Sequence, residues 1–217
     1  MAASHDTFIL TKLLSEITRA KGANHSHFYC RLRTWKDRAT PDSGDGGSTY
    51  AREYHDMLYF RGLLLLFETH PSKEHVGSAT AFELLGACKS LIDIIYNWTI
   101  NDRPACWTSG SFAFAAGIIH LDIALRDRYA RSQQLLADIM DTSSKCSSAL
   151  ASYSRRFSAL KRHCELYRAL AAVALQYFER ERVVSLSYTV PALSLPSINT
   201  DYSSRSILRS NPTSRSC

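Results

Sequence analysis

The sequence predicts an all-α protein, an irregular multi-helix bundle followed by a disordered C-terminal tail. Three observations carry this. Apolar residues recur at spacings of three and four through most of the chain, as they do on one face of an α-helix. Stretches rich in Pro, Gly, Ser and Asp interrupt that pattern, and these residues stop helices and favour turns. Alternation of the kind that marks a half-buried strand is confined to one weak candidate, Val183 to Val190.

The elements follow in order. Asp6 is placed to cap a first helix whose stripe is Ile9, Leu10, Leu13, Leu14 and Ile17, ending near Gly22. A short second helix spans Phe28 to Lys36, with Leu32 and Trp35 on one side. Residues 40–49 are rich in Pro, Asp, Ser and Gly and read as a mobile loop. A central helix follows from Tyr50 to His70, with Tyr54, Leu58, Arg61 and Leu65 on one face and a solid apolar block from Leu63 to Phe67, as expected of a central helix buried on several sides. Pro71 helps to end it. From Ser78 the stripe is Phe82, Leu85, Cys88, Ile92 and Ile95, running on to Trp98 before a turn at Asn101 to Pro104. Trp107 opens a helix of small residues, in which Ala113, Ala115, Ala116 and Gly117 let neighbouring helices approach closely. Leu135, Leu136, Ile139 and Met140 form a further stripe. The Ser-rich run Thr142 to Ser148 predicts a break, and a long helix from about Ala149 to Arg182 carries Leu150, Tyr153, Phe157, Leu160, Cys164, Tyr167 and Leu170 inward. The expected organisation is one helical domain over 1–182 and a disordered Ser/Thr/Pro/Arg-rich tail over 183–217.

Composition narrows the function classes. The 217 residues are 45% hydrophobic and 21% charged, enough for one core of ordinary domain size. The net charge of +6 would suit an acidic partner if the cations clustered, but they are spread along the chain. The N-terminal residues do not form a secretory signal, and the longest strongly apolar run, Gly62 to Phe67, is far shorter than a bilayer requires, so no membrane association is expected. Cys30, Cys88, Cys106, Cys146, Cys164 and Cys217 are widely spaced with no Cys-x-x-Cys pair, and are expected to be reduced packing residues.

Candidate chemistry is sparse. His25 with His27, and His70 with His75, could each bring two imidazoles together, but no neighbouring Cys or carboxylate set completes a metal site. His120 and Asp122 sit two apart on a helix and point about 200° away from one another, so the first reads as a structural histidine. Glu68, Glu83 and Asp93 are not spaced as general acid and base partners and read as surface or capping residues. Gly44, Gly46 and Gly47 follow a breaker stretch, with no Lys-Ser or Lys-Thr after them, and read as flexible. The basic run Ser154 to Arg168 reads as a solvated helix face, because Tyr153, Phe157 and Tyr167 lie on the apolar stripe instead of between the cations. No catalytic, cofactor-binding or metal-binding residues are therefore assigned, and no cofactor is implied.

Four stretches in a particular order and spacing carry a family likeness from about Asp6 to Phe178. They are Leu32-Arg-Thr-Trp35; Tyr54-His55 leading into Leu63-Leu-Leu-Leu-Phe67 and His70-Pro71; Ala87-Cys-Lys-Ser-Leu-Ile-Asp-Ile-Ile95; and Pro104-Ala-Cys-Trp107 running into Phe114-Ala-Ala-Gly-Ile-Ile-His-Leu121. The pattern resembles the C-terminal half of the fungal-specific transcription factor regulatory domain, the middle homology region of zinc-cluster regulators. The central helix ends Glu68-Thr-His-Pro71, where the family usually has His-Arg-Pro. The resemblance implies a non-catalytic, inducer- and partner-sensing module acting in the nucleus, here without the zinc-cluster DNA-binding head and without the first half of the regulatory domain. It further implies a protein partner or self-association through exposed apolar helix surface, with the first helix (Ile9, Leu10, Leu13, Leu14) as the donor, a small-molecule inducer, and no sequence-specific DNA binding by this chain alone. The alternative is a helical enzyme or small-molecule or lipid carrier with an apolar cavity beside the helix Ser111 to Leu125.

Overall fold

Helix formation follows the three–four periodicity along the chain, and packing decides where each helix stops. The computed structural model describes residues 2–20, 24–39, 49–69, 78–104, 106–127 and 136–189. Its elements are α1 (Ala2–Ala20), α2 (His25–Ala39), α3 (Thr49–Thr69), α4 (Ser78–Ile100), α5 (Trp107–Arg126), α6 (Leu136–Arg156), a short 3-10 turn (Ser158–Leu160) and α7 (Lys161–Thr189). The described residues contain no strand, as the sequence pattern requires.

Two apolar cores meet on α3. The larger one is built from α3 to α7 and includes Met57, Leu64, Leu85, Leu91, Ile92, Ile95, Ile139, Leu150, Tyr153 and Tyr167. The smaller one clamps α1 and α2 onto the other side of α3 through Leu10, Leu13, Ile17, Phe28, Leu32, Trp35, Leu63 and Leu66. Gly62 permits that second contact, because a Cβ there would stand 2.8 Å from Leu32 Cδ1 and 3.2 Å from Leu14 Cδ2. The Tyr29 hydroxyl donates to Glu83 Oε1 at 2.6 Å and ties α2 to α4.

α5 is the axis of the larger core. Gly110 stands where a Cβ would meet Leu160 Cδ1 at 2.4 Å, and Gly117 where it would meet Tyr167 Cε2 at 2.5 Å and Cys146 Sγ at 2.7 Å. With Ala113 and Ala116 fully buried between them, α6 and α7 approach the α5 backbone directly. By length and composition α5 could cross a bilayer, which the apolar-run argument overlooked; 56% of its apolar window is buried inside the bundle.

Several expectations are corrected. α1 begins at Ala2, so Asp6 lies inside the helix and does not cap it. The inner side of α3 is His55, Met57, Leu63, Leu64 and Leu66, while Tyr54, Leu58, Arg61 and Leu65 are half-buried. An element covered on two sides is apolar all round, and periodicity then cannot select a face. Phe82 is 48% exposed because Ala81 and Leu84 take the inward positions at that end of α4. Met140 and Leu170 also point outward. The Ser-rich run does not break the helix: α6 runs straight through Thr142 to Ser148, since Thr142, Ser143, Cys146 and Ala149 are buried and tertiary packing overrides weak propensity. The break falls instead at Phe157, in extended backbone with φ −128° and ψ 100°, where the chain turns so that Leu160 reaches Gly110. α7 then continues to Thr189, so the weak strand candidate at Val183 is helical and the boundary expected after Arg182 falls within a helix. Residues 40–48, His70, His75, Leu135 and most of the expected tail lie outside the described residues.

These burials set a stability ranking. Leu64→Asp or Ile95→Asp places an unpaired carboxylate at a site of 0% exposure, a cost of several kcal/mol against a total of roughly 5–15 kcal/mol. Thermal melts should show both variants unfolded or strongly destabilised, and Arg162→Asp, on an exposed position, within about 0.5 kcal/mol of the parent.

Candidate functional site

The close approach at Gly117 creates a polar nest inside the larger core. Tyr167 from α7 and Cys146 from α6 come together over the missing Cβ, and the Cys146 thiol donates to the Ala113 carbonyl at 3.3 Å. The Tyr167 phenol has the Ser143 hydroxyl and Cys146 thiol as its polar neighbours, with the Cys88 thiol of α4 further off. One turn further along α5, His120 is 0% exposed, and one turn back along α6 lies Thr142 at 1%. Both His120 ring nitrogens and Thr142 Oγ1 are buried without a hydrogen-bond partner among the described residues, whereas the Tyr167 and Ser143 hydroxyls and the Cys146 thiol have one another as polar neighbours. Such atoms ordinarily cost about 1–3 kcal/mol each when left unpaired, so the nest is held at the expense of stability.

Burial keeps the whole nest uncharged. It pushes the Cys146 thiol up to about 12 and the Tyr167 phenol and Cys88 thiol higher still, with Cys146 the next contributor for the latter two. It pushes the His120 imidazole down to about 4, helped by the Lys89 cation. At neutral pH the nest therefore offers hydrogen-bonding groups but neither thiolate nor imidazolium.

Cys106 is the opposite kind of cysteine, and sequence reasoning passed over it as packing material. It is exposed, at the position before α5, and its Sγ lies 2.9 Å from Thr108 Oγ1 and 3.1 Å from Ser109 Oγ. Partial burial raises its pKa, but hydrogen bonds from the side chains and backbone of Ser109 and Thr108 outweigh this and leave it lowered. The motif Cys-x-Thr-Ser at a helix start is the signal that could have found it.

An apolar ridge occupies the outer flank of α7. Leu166, Leu170, Val173 and Tyr177, spaced four, three and four residues apart, are 49%, 44%, 67% and 44% exposed. The adjoining flank, with Leu160, Cys164, Tyr167, Ala171, Ala174 and Phe178, is buried against the core. Among the described residues α7 is thus apolar on two adjacent flanks and buries only one of them.

The remaining sequence candidates are dispersed. His25 is half-buried and His27 exposed on α2. Glu68 pairs with Arg61 at 3.0 Å, Asp93 with Lys145 at 2.9 Å and Asp122 with Arg126 at 2.6 Å, each at a separate place, and Glu83 holds Tyr29. Among the described residues no three His, Cys, Asp or Glu side chains are grouped as a metal site. Arg155, Arg156, Lys161, Arg162 and Arg168 are all exposed, as a solvated face requires. The chain matches no protein-family model, no curated protein and no solved structure.

Two measurements test these electrostatics. Because the folded His120 pKa is depressed, its stabilising contribution is complete above the unfolded value of 6.5 and is lost as pH falls toward 4. By linkage this amounts to roughly 3 kcal/mol. Urea unfolding across pH 4–7 should therefore show a steep acid limb that His120→Leu makes shallower by about one proton; an unchanged slope would mean the ring titrates normally. For Cys106, alkylation by iodoacetamide at pH 7.5 should outpace that of Cys30, and Thr108→Val with Ser109→Ala should slow it several-fold. Equal rates at the two exposed thiols would contradict the lowered pKa.

Proposed function

We propose that this chain is a non-catalytic helical regulatory module of the nucleus, acting in the manner of the inducer- and partner-sensing region of fungal zinc-cluster transcription regulators. The observation that carries the reading is the exposed α7 ridge. A helix that buries one apolar flank and leaves Leu166, Leu170, Val173 and Tyr177 open is built to receive another helix, since the four–three–four spacing is that of a helix-pairing seam. On α1 this kind of surface is confined to Phe8 and Ile9, 68% and 40% exposed. Leu10 and Leu13 are 0% and 2% exposed, packed against α2 and α3, so their substitution by Glu would unfold the small core instead of improving solubility. The carrier alternative needs an apolar chamber beside α5, and there Leu160, Tyr153, Tyr167 and Cys146 fill the space at Gly110 and Gly117.

The test is a surface substitution that leaves the core alone. In size-exclusion chromatography with light scattering, the parent chain should self-associate or co-elute with a partner protein. Leu170→Glu with Val173→Glu should make it monodisperse and monomeric with a melting temperature changed by no more than about 2 °C, as for surface substitutions. A parent chain that is already a stable monomer, and that melts far lower after those substitutions, would remove the ridge as a docking face.

A further inference from the structure

The end of the bundle where α4 turns into α5 and α6 into α7 gathers cations around an exposed indole. Arg156 Nη2 donates to Asp102 Oδ1 at 2.5 Å, which ties the last turn of α6 to the turn after α4. α5 and α7 lie side by side with a nearly constant offset. Gly110 meets Leu160, the Phe114 and His163 rings stand edge to face with centroids 4.6 Å apart, and Gly117 meets Tyr167. One turn before Gly110, the same offset sets Trp107 level with Phe157, at the break between α6 and α7. Arg155 and Arg156 precede that break, Lys161 and Arg162 follow it, and all four are exposed.

Trp107 differs from the other two tryptophans. Trp35 and Trp98 are 5% and 3% exposed, whereas Trp107 is 58% exposed. The carboxylates at this end are Asp102, held by Arg156; Glu53, which accepts from Trp98 Nε1 at 2.7 Å; and Glu165, exposed one turn after Lys161. The charge facing solvent is therefore positive. α3, α5 and α7 begin at this end while α4 and α6 finish at it, so the helix dipoles largely offset one another and the side chains set the field.

We propose that this end binds single-stranded nucleic acid without sequence preference, with Trp107 as the platform for one base and Arg155, Lys161 and Arg162 as contacts to neighbouring phosphates. Within the basic run itself Tyr153 and Tyr167 are buried in the core, so the aromatic that stands among its cations comes from α5. An exposed aromatic face flanked by cations holds a single strand of any sequence, because every base has a face to stack and every nucleotide a phosphate. A duplex hides those faces. Two of the three cations are arginines, whose planar forks match phosphate oxygens in pairs. An anionic bilayer is the poorer fit, since it needs apolar side chains that enter it together. Ile100 is also exposed at this end, but it lies about 200° round α4 from Trp98, which sits beside Tyr153 and Arg156 of α6. The proposal does not rest on the regulatory reading, because it uses the end of the bundle and not the α7 ridge.

Fluorescence anisotropy of the full chain with labelled oligonucleotides of about twelve nucleotides tests it. A single strand should bind more tightly than the duplex of the same sequence, with little dependence on base order. Arg155→Ala and Arg162→Ala should each lower the slope of log affinity against log salt by about 0.7, the loss of one phosphate contact. Trp107→Ala should weaken binding by about five-fold or more, and Trp107→Phe, which keeps an aromatic face, should fall between it and the parent. If Trp107→Ala proves poorly folded, an abasic strand decides the matter: it keeps the phosphates, offers no base, and should bind the parent about five-fold or more weakly than the ordinary strand. Tryptophan emission of the parent supplies a second readout, because only Trp107 is exposed among the three; stacking on a base should quench it. No binding, equal affinity for ordinary and abasic strands, or a blue shift with tighter binding to phosphatidylserine vesicles would overturn the proposal.

Discussion

The contact of α6 and α7 with the bare backbone of α5 is the constraint on which the rest of this structure depends. Gly110 and Gly117 are seven residues apart, two turns, on one face of α5, and each admits a large side chain that any Cβ would displace. Leu160 enters at the first and Tyr167 at the second, and those two residues fix the register of α7. The break at Phe157 is part of the same arrangement. The chain leaves α6 in extended backbone, makes one 3-10 turn and starts α7 with Leu160 already seated, while the Phe157 ring stacks on Tyr153 at 19° and 6.5 Å.

That register has an energetic consequence. Seating Tyr167 beside Gly117 brings its phenol together with the Cys146 thiol and the Ser143 hydroxyl inside the larger core. Replacing buried polar groups by apolar ones of similar shape is often neutral or stabilising in proteins, so a core that keeps this polarity, with the His120 ring nitrogens and Thr142 Oγ1 unpaired among the described residues, gives up stability that an apolar core would retain. The smaller core shows the contrast. It clamps α1 and α2 onto α3 with Leu10, Leu13, Ile17, Leu32 and Trp35, and its polar contacts lie at the rim, in Tyr29 with Glu83 and Arg31 with Glu16. The smaller core holds one buried polar side chain, His55, edge-on to Trp35 at 5.9 Å, while the larger combines its packing with several.

The same register decides what α7 shows to its surroundings. With Cys164, Tyr167, Ala171, Ala174 and Phe178 turned inward, the residues one step round the helix, Leu166, Leu170, Val173 and Tyr177, are left on the outside. Small inward residues at Ala171 and Ala174 keep α7 close to the bundle, so the outer flank stands uncovered. The geometry of α5 thus leaves an apolar ridge on α7, while on α1, where the family resemblance put such surface, Phe8 and Ile9 are exposed.

By itself the sequence determined that this chain is helical and, as far as Arg126, which segments form the helices, because three–four periodicity and breaker residues are local signals. It also marked Ala113, Ala116 and Gly117 as a place of close approach and the run Arg155 to Arg168 as a solvated face. It could not choose a face for α3, whose apolar residues surround the helix because two cores flank it. Nor could it see that α6 passes through Thr142 to Ser148, since the weak helical preference of Ser and Thr is overruled only when their side chains are packed inside. The buried polar nest was beyond its reach for one reason: Gly117, Ser143 with Cys146, and Tyr167 come from three helices. Their meeting depends on helix register, and register was decided only in the tertiary structure, where two glycines let particular side chains in.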